Sequence, residues 1–179
     1  MMTKKTLWAL IPALIGAVAA HGDENDMSTN IISDDRMLLV LAAPSVHDTY
    51  YKNAFSRIVD FQVRYAKTAM GNDNVLIITD ADTKALYEGR LPEDILLVGD
   101  ILDIWARDFT MVNPLSPVQF RYTDASTTQN KLIQESFNAF ANRHDVKRNR
   151  SELLIDGGNV VDNYAGRIIS GERFWRTIG

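Results

Sequence analysis

Three short runs of the chain are almost purely apolar, so any fold must cover these segments on both faces. They span residues 37–42, 75–79 and 94–98, and each is followed within two residues by Pro, Asp or Gly. Continuous apolar runs of this length predict buried strands of the parallel type, because helices cover both faces of such strands. Less apolar runs predict further strands at 110–112, 118–122, 152–155, 159–161 and 167–170.

Segments with helical periodicity lie between these predicted strands. After the first strand, Asp48 is the expected N-cap and Gly71 the expected end of a helix. The apolar residues recur every three to four positions and predict its buried face as Tyr51, Phe55, Ile58, Tyr65 and Ala69.

A short helix is expected at 83–88, and the capping-box pattern Ser126-x-x-Gln129 opens a second long helix. Its predicted buried face is Ile133, Phe137, Phe140 and Ala141. This alternation is typical of the α/β class, with a doubly wound sheet as the simplest arrangement.

The first 20 residues have the composition of a secretory signal peptide. Lys4 and Lys5 precede an apolar run that ends in small residues at 17–20. The run is about 14 residues long, whereas roughly 20 are needed to span a bilayer, which argues against a membrane anchor. Residues 21–35 are polar and acidic and predict a flexible leader, and residues 36–179 form the predicted domain. We therefore expect a secreted or periplasmic protein with no membrane attachment after cleavage.

Composition excludes several kinds of site. The chain contains no cysteine, so disulfides, zinc–thiolate sites and a thiol nucleophile are excluded within these 179 residues. Loss of Lys4 and Lys5 with the signal peptide would change the formal net charge from -4 to -6. An acidic chain without a long basic tract is not expected to bind nucleic acid. No metal or organic cofactor is implied, and the glycosylation sequon at Asn149 is a weak signal.

The densest chemistry lies in the stretch Asp103-Ile104-Trp105-Ala106-Arg107-Asp108-Phe109. An indole ring and a carboxylate are what a planar guanidinium needs for stacking and for paired hydrogen bonds. If Trp105 and Asp108 converge, the stretch predicts an arginine-like ligand. The alternative is structural: Arg107 forms a surface ion pair with Asp103 or Asp108, and Trp105 belongs to the core.

Two further stretches follow this motif along the chain. They are Val118-Gln119-Phe120-Arg121-Tyr122-Thr123 and the segment 154–163, Leu-Ile-Asp-Gly-Gly-Asn-Val-Val-Asp-Asn. From about Met37 onward, the chain with these three stretches resembles the agmatine deiminase and bacterial-type peptidylarginine deiminase family of the guanidino-group-modifying superfamily. The resemblance implies the five-module α/β propeller, or pentein, fold of these enzymes. About two modules plus the start of a third would lie in this chain.

The resemblance also assigns roles to individual residues. Asp108 matches a guanidinium-binding carboxylate of the family's catalytic site, and Trp105 matches the aromatic wall beside the substrate. Asp156 takes the acidic position of the Gly-Gly motif, whose glycines would allow close backbone approach. Together with Asn159 and Arg107, it is expected to support the site without touching substrate. Asp156 has a second interpretation, as a turn acid that hydrogen-bonds local N–H groups.

The implied activity is hydrolysis of a guanidino group to a ureido group with release of ammonia. The substrate would be agmatine, giving N-carbamoylputrescine in putrescine biosynthesis, or peptidyl-arginine, giving peptidyl-citrulline. The family's cysteine nucleophile and Gly-His-x-Asp motif have no counterpart here, since His21, His47 and His144 stand in other contexts. We therefore expect the N-terminal portion of a secreted deiminase that is inactive alone. A guanidinium-binding non-enzyme and a remnant are the alternatives, and the oligomeric state stays open.

Overall fold

A computed structural model describes residues 36–113, 116–122, 127–163 and 167–171 of the chain. The predicted signal peptide and leader lie outside the described residues, as do Ser126 of the predicted capping box and the turn at 164–166. Within the described segments, no helix has the length and apolar character needed to cross a bilayer. The chain divides into two compact units, of which unit 1 ends at Ile104 and unit 2 begins at Trp105.

Unit 1 contains a three-stranded parallel sheet. Its strands, in the order β1-β2-β3, are β1 (Leu38–Ala42), β2 (Asn74–Thr79) and β3 (Leu96–Val98). The connecting elements are helix α1 (Phe55–Ala69), the one-turn helix α2 (Ala81–Lys84) and a 3-10 turn (Glu93–Ile95). The three predicted strands are confirmed, although the third is shortened by the 3-10 turn. The short helix predicted at 83–88 begins earlier, because the Asp80 carboxylate caps it by accepting from the Thr83 N–H at 2.8 Å.

The core of unit 1 forms where α1 packs on the sheet. In the sheet register, Leu38 lies opposite Asn74, and Ile77 lies opposite Leu96. A buried polar pair accompanies this packing: Gln62 donates to the carbonyl of Ala42 at 2.8 Å and accepts from the Tyr87 hydroxyl at 2.6 Å. The apolar side chains of the cluster include Val59, Val63, Ala66, Val75, Ile77 and Leu96.

The buried face of α1 matches the predicted one only in part: Phe55 and Ala69 pack against the core, whereas Tyr65 does not. Tyr65 is 44% exposed, and its ring stacks on that of Phe61 with 5.6 Å between centroids. The helix begins at Phe55, and Asp48 does not cap it but accepts from the Tyr50 N–H at 2.7 Å. Smaller Val and Ala side chains occupy the contact with the sheet. The larger amphipathic ring of Tyr65 lies partly exposed at the border of this contact.

Unit 2 combines two two-stranded sheets with one long helix. Strands β4 (Val118–Arg121) and β5 (Asn149–Leu154) pair in parallel and are connected by α4 (Thr127–Arg143). Strands β6 (Val160–Asp162) and β7 (Ile168–Ser170) form the predicted antiparallel hairpin. Residues 110–112 do not form the predicted strand. Val112 makes a single bridge to Val118, and a one-turn helix, α3 (Ala106–Phe109), precedes it.

Aromatic packing forms the core of unit 2. Phe109 is fully buried, and its ring centroid lies 5.7 Å from that of Tyr122 and 6.3 Å from that of Phe137. The predicted buried face of α4 is confirmed, because its four residues are at most 5% exposed: Ile133, Phe137, Phe140 and Ala141. This packing fixes α4 beneath α3, since Phe109 is the last residue of that short helix.

The described strands form three small sheets and not one doubly wound sheet. The α/β class is confirmed in this mixed form. The five-module propeller and the count of about two modules plus the start of a third stay predictions. Asn149 of the sequon is exposed at the first position of β5.

His144, which follows α4, should make the stability of unit 2 depend on pH. It is 7% exposed, and burial, with a smaller contribution from Arg143, lowers its pKa below the usual value. The unfolded chain therefore binds a proton more readily. The free energy of unfolding should hold above about pH 6.5 and decrease as pH falls through the lowered pKa. Urea denaturation between about pH 5 and pH 8 measures this, and His144→Phe should flatten the curve. An equally steep curve in His144→Phe would contradict the assignment.

Candidate functional site

Helix α3 carries Arg107 and Asp108, the charged residues in the second half of the stretch 103–109. Trp105 is the N-cap residue of this helix, and the Asp108 backbone N–H donates to the Trp105 carbonyl at 2.9 Å. Buried Phe109 anchors the turn in the core of unit 2. Asp108 is half-buried, whereas Trp105 is 60% exposed. The alternative that makes Trp105 a core residue is therefore wrong.

The Gly-Gly motif lies directly against Asp108, although 50 residues separate the two in sequence. The backbone N–H of Gly158 donates to Oδ1 of Asp108 at 2.9 Å. A hydrogen bond to a carboxylate is stronger than one between neutral groups, so it orients the Asp108 side chain. The structure thus brings together the two most specific stretches of the sequence.

Close approach, and not backbone conformation, requires both glycines of this motif. Neither Gly157 nor Gly158 adopts a left-handed conformation. A Cβ atom at Gly158 would overlap the carboxylate of Asp108. One at Gly157 would overlap the backbone carbonyl oxygen of Arg107 and crowd the side chain of Val112. Only a residue without a side chain lets the turn contact α3 so closely.

Arg107 links α3 to the hairpin through a backbone contact. Its Nη2 donates to the carbonyl of Val160, the first residue of β6, at 2.7 Å. No ion pair joins Arg107 to an acid among the described residues, so the predicted pair with a neighbouring carboxylate does not form there. Within unit 1, Asp103 accepts from the Tyr51 hydroxyl at 2.7 Å.

Asp156 is buried beside the Gly-Gly turn. It is 6% exposed and directly precedes the 3-10 turn (Gly157–Asn159). Its side chain does not accept a capping hydrogen bond from the backbone of that turn. The Asn159 side-chain amide lies 3.4 Å from Oδ2 of Asp156, a long hydrogen bond. This contact agrees with the interpretation of Asp156 as an acid that hydrogen-bonds local N–H groups, and its supporting role in the site stays a prediction.

Two glutamines to which the sequence analysis assigned no role hold the end of α3. The Phe109 carbonyl accepts from Gln134 at 3.0 Å and from Gln119 at 3.3 Å. Gln119 is 3% exposed in strand β4. The signal in the sequence was a glutamine inside a predicted strand, because a polar side chain that becomes buried there needs a hydrogen-bond partner.

The assembled groups suit a flat cation. The site offers a carboxylate oriented by a backbone N–H group and, three residues earlier in the chain, an exposed indole ring. Such a ring attracts cations through its face, and the carboxylate supplies charge and hydrogen-bond acceptors. Among the described residues, no three His, Asp or Glu side chains are grouped in a way that would hold a metal ion.

Comparison with known proteins gives a match at the level of structure. No family model and no curated protein matches the chain. The C. jejuni agmatine deiminase structure matches 75% of this chain with a TM-score of 0.60 and 14% sequence identity. The chain has a deiminase-like fold. The agmatine deiminase of Enterococcus faecalis matches 75% of the chain with a TM-score of 0.52, again at 14% identity.

A structure assigned to a peptidyl-arginine deiminase also matches, over 74% of the chain with a TM-score of 0.54 and 16% identity. The chain spans less than half of each of these proteins: 43% of the C. jejuni enzyme, 40% of the E. faecalis enzyme and 42% of the peptidyl-arginine deiminase. Identities this low reflect a shared fold and do not carry over an activity.

Proposed function

We propose that this chain supplies the guanidinium-binding part of a deiminase. The observation that carries the proposal is the 2.9 Å hydrogen bond from Gly158 to Asp108, which joins the two motifs on a deiminase-like fold. A carboxylate held in this way has lost orientational freedom before the ligand arrives. Preorganisation of this kind lowers the entropic cost of binding. Asp156, Asn159 and Arg107 would maintain the arrangement without touching the ligand.

The proposed ligand is defined by shape and charge. A guanidinium is planar and always charged, and it presents parallel N–H groups to a carboxylate. Asp108 would accept these hydrogen bonds, and the exposed face of Trp105 would stack on the plane of the cation. An ammonium group would gain the charge attraction but could not form the paired hydrogen bonds. The site should therefore prefer guanidino compounds to simple amines.

The proposed reaction is hydrolysis, in which water replaces one guanidino nitrogen, ammonia leaves and a ureido group remains. Agmatine is the preferred substrate and would give N-carbamoylputrescine, on the route to putrescine. Peptidyl-arginine, which would give peptidyl-citrulline, is the second. Because these 179 residues contain no cysteine, a thiol nucleophile would have to come from outside them. The signal-like N-terminal composition supports a secreted or periplasmic location.

A guanidinium-binding protein that never turns its ligand over is the second candidate function. The hydrogen bond from the Gly158 N–H to Asp108 supports it as well, because that contact concerns ligand binding and not hydrolysis. Both candidates include binding by Asp108, and they differ only in whether the ligand is hydrolysed in the presence of further catalytic groups. In either case we expect no ammonia release from agmatine by the purified 179-residue chain.

Calorimetric titration with agmatine and with putrescine tests the binding proposal. The two compounds share a primary amine, but only agmatine carries a guanidino group. We expect the purified chain to bind agmatine at least tenfold more tightly than putrescine, a difference of about 1.4 kcal/mol. Equal affinities would defeat the guanidinium assignment. Ammonia release by the chain alone would contradict the proposal that the nucleophile comes from outside these 179 residues.

Trp105→Ala should weaken agmatine binding by roughly 1 to 2 kcal/mol, because it removes the stacking surface for the cation. The exposed indole contributes little buried area, so the unfolding midpoint should change little. Phe61→Ala is the matched control, since it removes a ring that is 55% exposed in unit 1. Unchanged agmatine affinity in Trp105→Ala, measured by the same titration, would remove Trp105 from the site.

A further inference from the structure

The carbonyl of Phe109 is held by two side-chain amides. Gln134 Nε2 donates to it at 3.0 Å, and Gln119 Nε2 donates at 3.3 Å. The two glutamines differ in their other contacts. Gln119 belongs to a buried network in which its Oε1 accepts from Arg148 Nε at 2.7 Å. Gln134 is half-buried on α4, and its Oε1 accepts from the Tyr122 N–H at 2.8 Å.

A one-turn helix needs such external contacts. Four residues form too few internal hydrogen bonds to offset the entropy of fixing them, so α3 cannot hold its own shape. Besides the core packing of Phe109, three kinds of hydrogen bond from outside the helix hold it: the Gly158 N–H to Asp108, the Arg107 guanidinium to Val160 O, and the two amides to Phe109 O. The first involves the carboxylate itself. The last acts on the backbone immediately after Asp108.

We propose that Gln134 is a positioning residue for Asp108. It ties α3 to the end of β4, since the same side chain bonds both Phe109 O and the Tyr122 N–H. Its bond to the carbonyl next to Asp108 keeps the carboxylate within reach of the Gly158 N–H. The role in ligand binding rests on the proposed function, whereas the effect on the Gly158 hydrogen bond does not. Gln134 itself contacts no ligand in this scheme.

Gln134→Glu tests the proposal with a side chain of the same shape. The carboxylate can still accept from the Tyr122 N–H, but at neutral pH it cannot donate to Phe109 O and repels it. Two measurements apply to the 179-residue chain: the NMR resonance of the Gly158 amide and the dissociation constant for agmatine. We expect the Gly158 proton to lose the shift caused by its bond to Asp108. Agmatine binding should weaken roughly tenfold, the effect of losing one well-placed hydrogen bond.

Glu135→Gln is the matched control, because it changes one charge at the adjacent, exposed position of α4. It should leave the Gly158 resonance unchanged and agmatine affinity within about twofold of wild type. If Gln134→Glu does not fold, Gln134→Met replaces it, since a methionine of similar length lacks both hydrogen bonds. An unmoved Gly158 resonance in a folded Gln134 variant would overturn the proposal. If wild type binds no agmatine, the proposed function fails, and the Gly158 resonance alone decides the positioning role.

Discussion

Replacing Asp108 with asparagine should weaken agmatine binding roughly 30- to 150-fold, which corresponds to about 2 to 3 kcal/mol. Asparagine keeps the size of the side chain, and its amide oxygen can still accept from the Gly158 N–H. The substitution therefore preserves the local geometry and removes the negative charge that pairs with the guanidinium. Because Asp108 is half-buried, solvent screens the interaction, and we expect a smaller loss than for a fully buried ion pair.

Titration calorimetry with agmatine and putrescine measures this effect. The affinity for agmatine should fall much more than that for putrescine, because only the guanidino group uses both carboxylate oxygens. Asp162→Asn is a suitable control, since it removes a carboxylate of the same unit that accepts from Asn113 at 2.7 Å and has no proposed role in binding. Wild-type affinity in a folded Asp108→Asn variant would show that the Asp108 charge does not bind the guanidinium group.

The strands of unit 1 were predictable because their signal is local. Each apolar run is long enough to specify a buried strand, and β1 and β2 match the predicted segments within one residue. The face of α1 was harder to predict. Periodicity alone ranks Tyr65 with the core, but whether a ring or a smaller side chain contacts the sheet depends on the distance between helix and sheet. That distance is a property of the assembled unit, and no local pattern encodes it.

The candidate site was predictable as a set of motifs but not as a geometry. Trp105, Asp108 and the glycines stand out by residue type, yet a sequence does not state which N–H group bonds which carboxylate. Arg107 is the clearest case in which the sequence does not predict the hydrogen-bond partner. Charge complementarity predicts a carboxylate partner, whereas the folded chain presents it with the carbonyl of Val160 at 2.7 Å. Backbone acceptors are present at every residue, so no composition signal marks them.

Replacing Gly157 with alanine should lower the free energy of unfolding by about 3 kcal/mol, the upper range for overpacking a tightly packed position. The added methyl would overlap the backbone carbonyl oxygen of Arg107, and it would also press on Val112, which is 6% exposed. A backbone atom cannot rotate away as the end of a side chain can. The turn and α3 must therefore separate, and the gain from a less flexible unfolded chain, about 0.4 to 1 kcal/mol, does not offset this.

Gly158→Ala provides the contrast that makes the Gly157 prediction specific. There the methyl would meet the carboxylate of Asp108, the end of a side chain that can rotate away. We expect a stability change below about 1 kcal/mol but roughly tenfold weaker agmatine binding, since the carboxylate leaves its bond to residue 158. Urea denaturation and calorimetry on both variants separate the two effects. Equal stability losses in the two variants would show that the motif needs glycine for a common structural reason, and the distinct role of Gly158 in orienting Asp108 would then be wrong.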